Sequence, residues 1–260
     1  MKILTYDIET APKVGYIWGL FKQNIPLSML LEDGYIISWA AKWHGEKKIH
    51  SDGLHNYDNN VDNQGLMIEG LYDLMTEADV LVGFNSDQFD QKHMNTAFLM
   101  ADKSPPVPAK SVDLYKVTKQ RFNFTSNRLE FVAKKLGIKQ KLNHRGFALW
   151  DGYMNDDPDC WKEMLDYNEC DVEVTEELFD LYRNKGWIKN MPSIPLYEGL
   201  YEGAPTRCNN CGSESIVKKG SEHLKITSYQ RYKCKDCGNN MRGREMLYNK
   251  DERESLLVNI

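Results

Sequence analysis

The sequence predicts a mixed α/β domain followed by a small module held by four cysteines. Three observations carry this reading. An apolar run, Ile3, Leu4, Tyr6 and Ile8, opens the chain as a buried strand. A hairpin pattern follows, and then helix, strand, helix, which is a mixed order and not a regular βαβ repeat. Near the end, Cys208-x2-Cys211 and Cys234-x2-Cys237 are separated by 22 residues, a spacing that suits one four-thiolate zinc ion.

The elements can be taken in order. Residues 11–33 read as irregular, with Pro12, Pro26 and scattered aromatics. Residues 35–43 and 47–54 alternate as two strands about a Gly45-Glu46 turn, an antiparallel hairpin. The Asn- and Asp-rich residues 55–64 form a loop, and Leu66, Ile68, Leu71, Leu74 and Met75 mark an amphipathic helix over 64–78. Residues 79–85 read as a buried strand running directly into a helix from about Asp87 to Ala101. Pro105, Pro106 and Pro108 break the chain, and a short helix begins at Val112. Thr125-Ser126-Asn127 with Glu130 reads as a helix start, and Gly137 as its stop. Residues 139–157 read as a loop with an aromatic cluster at Phe147, Trp150 and Tyr153. A long helix runs from Pro158 to about Lys185. The domain is expected to span 1–189. A linker over 190–205 (Pro192, Pro195, Pro205, Gly199, Gly203), the cysteine module over 206–245 and a tail over 246–260 follow.

Composition sets the bounds. The 260 residues are 41% hydrophobic, enough for a real core. No apolar run approaches the ~18 residues of a membrane span, so no membrane partner is expected. The chain opens directly on a strand pattern without a signal peptide, so the expected location is the cytoplasm. In that reducing compartment the cysteines are thiols or metal ligands, and Cys160 and Cys170, in the long helix, read as buried thiols. The formal net charge of −5 divides unevenly. Residues 206–260 carry 11 Lys+Arg against 7 Asp+Glu, whereas the first 205 carry 22 against 31. An acidic body with a basic module is what a metal site joined to a phosphate-binding module would produce.

The chemistry is carried by three stretches. Asp7-x-Glu9 ends the first strand, and period two puts both carboxylates on one face, ~7 Å apart along the strand. Two such acids repel each other and are costly to desolvate, and a hard divalent cation such as Mg²⁺ or Mn²⁺ relieves both problems. Taken alone, the pair reads equally well as surface acids at a strand end. The second stretch is Gly83-Phe84-Asn85-Ser86-Asp87-Gln88-Phe89-Asp90, at a strand-to-helix junction. The third is Tyr167-Asn168-Glu169-Cys170-Asp171, whose first and last residues share one helix face one turn apart.

In that order, Asp-x-Glu, Asn-x3-Phe-Asp and Tyr-x3-Asp, the trio resembles the DEDDy group of 3′–5′ exonucleases in the ribonuclease-H-like superfamily. The likeness covers about residues 1–185. It is to the proofreading domain of family B DNA polymerases and to stand-alone bacterial and phage relatives. The resemblance implies a ribonuclease-H-like mixed sheet flanked by helices. It implies that Asp7, Glu9, Asp90 and Asp171 hold two Mg²⁺ or Mn²⁺ ions, with Tyr167 orienting or helping to activate the attacking water. Asn85, Phe89 and Thr10 fall at substrate-side positions. Phe89 reads equally as a core aromatic, and Asp87 is the other acid of the second stretch, as a helix cap or first-turn charge. His144 reads as a surface or substrate-side residue. The implied activity is metal-dependent 3′–5′ hydrolysis of single-stranded nucleic acid, DNA first and RNA second. A ribonuclease or structure-specific endonuclease of the same fold, and a non-catalytic nucleic-acid-binding protein, are the alternatives.

The cysteine module resembles a zinc ribbon. Gly212 and Gly238 follow the two cysteine pairs, and 215–219 and 226–233 read as strands. One structural Zn²⁺ on Cys208, Cys211, Cys234 and Cys237 would hold a fold too small for a core of its own. Lys218, Lys219, Lys225, Arg231, Lys233, Lys235, Arg242 and Arg244, with Tyr229 and Tyr232, offer phosphate contacts and stacking surfaces. The module is alternatively a protein-docking knob, and Leu256-Leu257-Val258 a docking helix in the tail.

Overall fold

The computed structural model describes residues 1–22, 24–107, 109–188, 205–224 and 226–254. Pro108, Lys225, nearly all of the expected linker and the Leu256-Leu257-Val258 segment lie outside these residues. The chain divides into two compact units, Met1–Phe179 and Asp180–Ile260.

The first unit is built on β1 (Ile3–Thr10), followed by the short pair β2 (Val14–Gly15) and β3 (Leu30–Glu32). The hairpin β4 (Ile36–Trp43) and β5 (Ile49–Gly53) comes next, then α1 (Gln64–Met67), α2 (Glu69–Glu77) and β6 (Val80–Gly83). α3 (Asp90–Met100), β7 (Lys110–Asp113), α4 (Leu114–Arg121), α5 (Leu129–Leu136), α6 (Phe147–Met154) and the long α7 (Pro158–Asn184), up to its Phe179, complete it. The strands order as β5-β4-β1-β6-β7. β1 is antiparallel to β4 and parallel to β6, and β6 is parallel to β7. This is a mixed five-stranded sheet flanked by helices, with β1 at its centre.

Period two explains why β1 is central. Leu4, Tyr6 and Ile8 are buried in one core cluster with Leu71 and Met75 of α2 and Phe98 of α3. Asp7 and Glu9 therefore turn to the opposite side of the sheet. There a second cluster gathers Ala11, Ile37, Leu149, Tyr153, Cys160 and Met164, so α6 and α7 cover that face. Cys160 and Cys170 are both buried.

Several elements differ from the sequence expectation, each for a local reason. The helix over 64–78 is two pieces, broken where Ile68 takes ψ −5°. α3 starts at Asp90 and not near Asp87, because Asn85 adopts φ +64° and its carbonyl accepts from both the Gln88 and Phe89 amides, closing a turn first. Residues 110–113 are a strand, not the run-up to a helix. Lys-Ser-Val-Asp has one apolar residue, and pairing with β6 decides its conformation. The α5 start is Arg128, with no side-chain cap; Gly137 does end the helix, in the left-handed region at φ +69°. Phe147–Met154 is a helix and not a loop: Leu149 and Tyr153, one turn apart, are both buried.

The second unit contains an antiparallel three-stranded sheet, β8 (Ile216–His223), β9 (Ser228–Cys234) and β10 (Asn240–Met246), in the order β10-β9-β8. The third strand escapes a sequence reading because Asn-Met-Arg-Gly-Arg-Glu-Met shows neither alternation nor β-branched residues. Among the described residues no helix is long and apolar enough to cross a membrane.

Candidate active site

Asp7 and Glu9 stand on β1 opposite Ala40 and Ser38 of β4. The register shifts between Glu9 and Thr10, so Thr10 pairs with Ile36 and leaves the regular pleat just beyond the two acids. α7 brings the third stretch over this face. Its Asn168, fully buried, donates through Nδ2 to Asp7 Oδ2 at 2.7 Å, and lies 3.4 Å from the Ser38 hydroxyl. Helical spacing then sets Tyr167 and Asp171 beside Asp7 and Glu9.

Ligand oxygens of Asp7, Glu9 and Asp171 lie within 4.8 Å of one another. Oxygens sharing one Mg²⁺ stand ~3.0 Å apart when adjacent and ~4.2 Å when opposite, so a closure of no more than ~2 Å brings this triad onto one ion. Asp171 Oδ1 is buried without a hydrogen-bond partner of good geometry. An orphaned carboxylate oxygen in a cluster of like charge fits the role of a cation ligand. The donor set is all oxygen, which suits Mg²⁺ or Mn²⁺.

Asp90 stands next to the triad, not inside it. Its Oδ1 accepts from the Ile8 amide at 3.1 Å, which ties the first turn of α3 to the strand between Asp7 and Glu9. Asp87 faces elsewhere: Ser111 donates to it, and Lys116 pairs with it at 2.7 Å. Asn85 sits at the junction with φ +64°, a conformation that asparagine tolerates better than most residues. Its amide is held by Asp113 Oδ1 at 2.9 Å. Phe89 is 40% exposed with its ring 4.6 Å from that of His93, so it is not a core aromatic. His144 packs edge-on to Tyr167 at 4.8 Å, next to Trp150.

Three residues of this region escape a sequence reading. Lys141 forms an ion pair with Asp171 and lies 3.2 Å from the Tyr167 hydroxyl. Its position in an irregular stretch gives spacing no predictive value. Asn168 lies inside the third stretch but reads there as a spacer. Asp113 caps α4 through the Tyr115 amide at 2.9 Å and clamps Asn85; the strand that places it is the one the sequence hides.

The electrostatics follow from this crowding. Burial drives the Asp7 carboxyl well above the usual range, and the charges of Asp90, Asp171 and Glu9 push it further. Burial, and next Asp171, lifts Glu9 to about 8. Burial raises Asp90 to about 7 against the pull of the Ile8 amide. Asp171 is also raised, burial outweighing Lys141. Burial works against the Lys141 ammonium, but Asp171, Tyr167 and Asp7 hold its pKa above the ordinary value. Burial and Asp171 keep Tyr167 a neutral phenol at any ordinary pH. One lysine does not offset the charge of four such carboxylates, and divalent cations would offset most of the remainder.

A groove of about 650 Å³ opens beside Tyr167 and Lys141, with Asn85, Phe84, Tyr115 and Arg128 among its walls. A wider cavity of about 1040 Å³, lined by Lys13, Tyr35 and His93 among others, includes none of the four carboxylates.

The four cysteines form a second cluster. Cys208 Sγ lies 3.6 Å from Cys237 Sγ, Cys211 Sγ 3.6 Å from Cys234 Sγ, and all four sulfurs are within 4.8 Å of one another. Tetrahedral zinc with Zn–S of ~2.3 Å spaces its sulfurs by ~3.8 Å. Gly212 and Gly238 take φ +73° and +74°, the turn after each pair that a side chain would strain. The residues fit zinc.

Residues 35–183, more than half of the chain, match the RNase_H_2 family, described as RNase_H superfamily. The match takes in Asp90, Tyr167 and Asp171, and β1 precedes it. No curated protein matches the chain. Nucleases of this fold use divalent metals, and an acidic triad of Asp7, Glu9 and Asp171 is present here. The chain belongs to the RNase_H superfamily.

Proposed function

We propose that the protein is a two-metal-dependent 3′–5′ exonuclease acting on single-stranded nucleic acid, DNA before RNA, with one structural zinc in a C-terminal ribbon. The observation that supports it most is the meeting of Asp7, Glu9 and Asp171 under a tyrosine one helical turn before the last aspartate.

Asp7, Glu9 and Asp171 would hold one divalent ion, and Asp90, adjacent to them, would share in holding a second. Such ions, when bound, lower the pKa of the attacking water and offset charge developing on the phosphodiester oxygens. The remaining work falls to the chain. Tyr167, one helical turn before Asp171, would orient or help activate the attacking water through its hydroxyl. Lys141 meets the Tyr167 hydroxyl on one side and pairs with Asp171 on the other, where its charge favours the carboxylate form against burial. Asn168 locks the Asp7 carboxylate and leaves its second oxygen free to ligate. Thr10 follows Glu9 on β1, and Asn85 and the exposed Phe89 precede Asp90 in the second stretch; by the resemblance, a terminal nucleotide would lie against these residues.

Asp7→Ala tests the reading. It should abolish Mn²⁺-dependent hydrolysis of a single-stranded oligonucleotide and leave the folded circular dichroism spectrum unchanged. A folded variant that retains wild-type hydrolysis would remove Asp7 from the site and the reading with it.

A further inference from the structure

We infer that one face of the C-terminal sheet is a second binding surface for single-stranded nucleic acid, with Tyr229 as a stacking platform and Arg231, Lys233 and Arg242 as phosphate contacts. The choice of a single strand over a duplex rests on the exonuclease reading; the basic face itself does not.

The register places these residues together. Along β9, alternation puts Tyr229, Arg231 and Lys233 on one side. Arg242 of β10 pairs with Arg231, and so shares that side. Its guanidinium lies 4.2 Å from the centroid of the Tyr229 ring, diagonal to it across the strands. Glu222 of β8 pairs with Tyr229 and reaches Arg242 at 3.4 Å. Among the described residues whose pairing fixes their side, Arg231, Lys233 and Arg242 face one carboxylate, Glu222, around a partly open aromatic ring.

The arrangement suits a flexible polyanion with planar bases. Bases stack on aromatic rings and on guanidinium planes, and cations spaced along a strand follow the phosphates. The Tyr229–Arg242 pair offers both kinds of platform, and Arg231 and Lys233 repeat every second residue beside it. The opposite side of β9 carries Gln230 and Tyr232, which pair with Ser221 and with Lys218 and Met241, and is poorer in cations. Charge over the whole chain points the same way. Residues 206–260 carry 11 Lys+Arg against 7 Asp+Glu, whereas the rest carries 22 against 31. A polyanion repelled by the acidic body meets its attraction here.

The test uses the full-length chain with Asp7→Ala, so that bound strand is not consumed, in buffer holding zinc but neither Mg²⁺ nor Mn²⁺. Anisotropy of a labelled ~20-nucleotide single strand is followed through a salt titration. Combining Arg231→Ala, Lys233→Ala and Arg242→Ala should weaken binding at least ~10-fold and lower the salt slope by ~2, at ~0.7 per lost phosphate contact. Tyr229→Ala should weaken single-strand binding by ~5-fold or more and leave a duplex of equal length little changed. Zinc content of one equivalent in each variant shows that the sheet is intact. Unchanged affinity and slope in the triple variant would overturn the proposal. So would poly-glutamate competing as well as the oligonucleotide, which would make this a protein-docking face. The two readings fail separately. Salt-sensitive binding through this face without hydrolysis by the wild-type chain removes the nuclease and keeps the surface; hydrolysis with binding indifferent to the triple variant does the reverse.

Discussion

The Asn168 amide donates to the Asp7 carboxylate across 2.7 Å, joining the helix that carries Tyr167 and Asp171 to the strand that carries Asp7 and Glu9. Asn168 is fully buried, so its amide cannot replace Asp7 with water. Residues behind metal ligands typically change metal affinity or activity ~10–100-fold when removed. Asn168→Ala should therefore raise the Mn²⁺ concentration needed for half-maximal hydrolysis by a factor in that range. A metal titration of the rate would show it, and an unchanged titration would mean that Asp7 needs no such positioning.

The metal-free protein should lose stability as pH rises. Glu9 is raised to about 8 and Asp90 to about 7, with Asp7 and Asp171 also raised. A carboxyl whose folded pKa exceeds its unfolded value of ~4 holds its proton more tightly when folded. Its contribution is complete below pH ~4 and disappears as pH rises through 7 to 8. Thermal melting without added divalent cation should thus give a lower Tm at pH 8 than at pH 5.5. Added Mn²⁺ should recover most of the loss at pH 8 and do little at pH 5.5. A Tm that climbs across this window would refute the crowding of acids.

Asp7→Asn should raise the metal-free Tm at pH 8, since it removes one of the mutually repelling charges and keeps an oxygen for Asn168 to bond. The same substitution should abolish Mn²⁺ stabilisation. A fall in Tm would show that Asp7 stabilises the fold and not the ion.

Lys42 and Glu176 supply a contrasting pair away from the site. Both side chains are largely buried, at 10% and 14% exposure, and Glu176 also accepts from the Gly45 amide at 3.1 Å. Burial disfavours the Glu176 charge, yet its bonds to His44 and Lys42 bring its pKa down to about 2. This stability is present above pH ~4.5 and is lost as pH falls toward 2. Glu176→Gln leaves Lys42 buried without its counter-charge and should cost ~3–5 kcal/mol, read from urea unfolding at pH 7. A cost under ~1 kcal/mol would place the pair with exposed ion pairs.

Cysteine substitution tests the second metal. One zinc per chain is expected by elemental analysis, and Cys208→Ser should remove it and unfold β8–β10 while the Met1–Phe179 unit still melts cooperatively. A full equivalent of zinc in that variant would contradict the four-thiolate site.

Much of this was legible in the sequence wherever a fixed period governs. Two-residue alternation on β1 separates Leu4, Tyr6 and Ile8 from Asp7 and Glu9, and the four-residue interval on α7 aligns Tyr167 with Asp171. The two Cys-x2-Cys pairs carry their own turn geometry in Gly212 and Gly238. What stayed hidden depends on tertiary pairing. β7 is a strand because β6 lies beside it, and Asp113 reaches Asn85 only through that pairing. Lys141 arrives from an irregular stretch, 26 residues from the Tyr167 hydroxyl in sequence and 3.2 Å from it in space. No local pattern encodes such a distance.

The most direct test of the central claim is a time course on a 5′-labelled single strand, offered as DNA and as RNA, with Mn²⁺, with Mg²⁺ and without divalent cation. The account predicts a metal-dependent ladder that shortens from the 3′ end, faster on DNA, and absent with Asp171→Asn. A single internal cut, or no cleavage by a protein that still binds the strand, would contradict it.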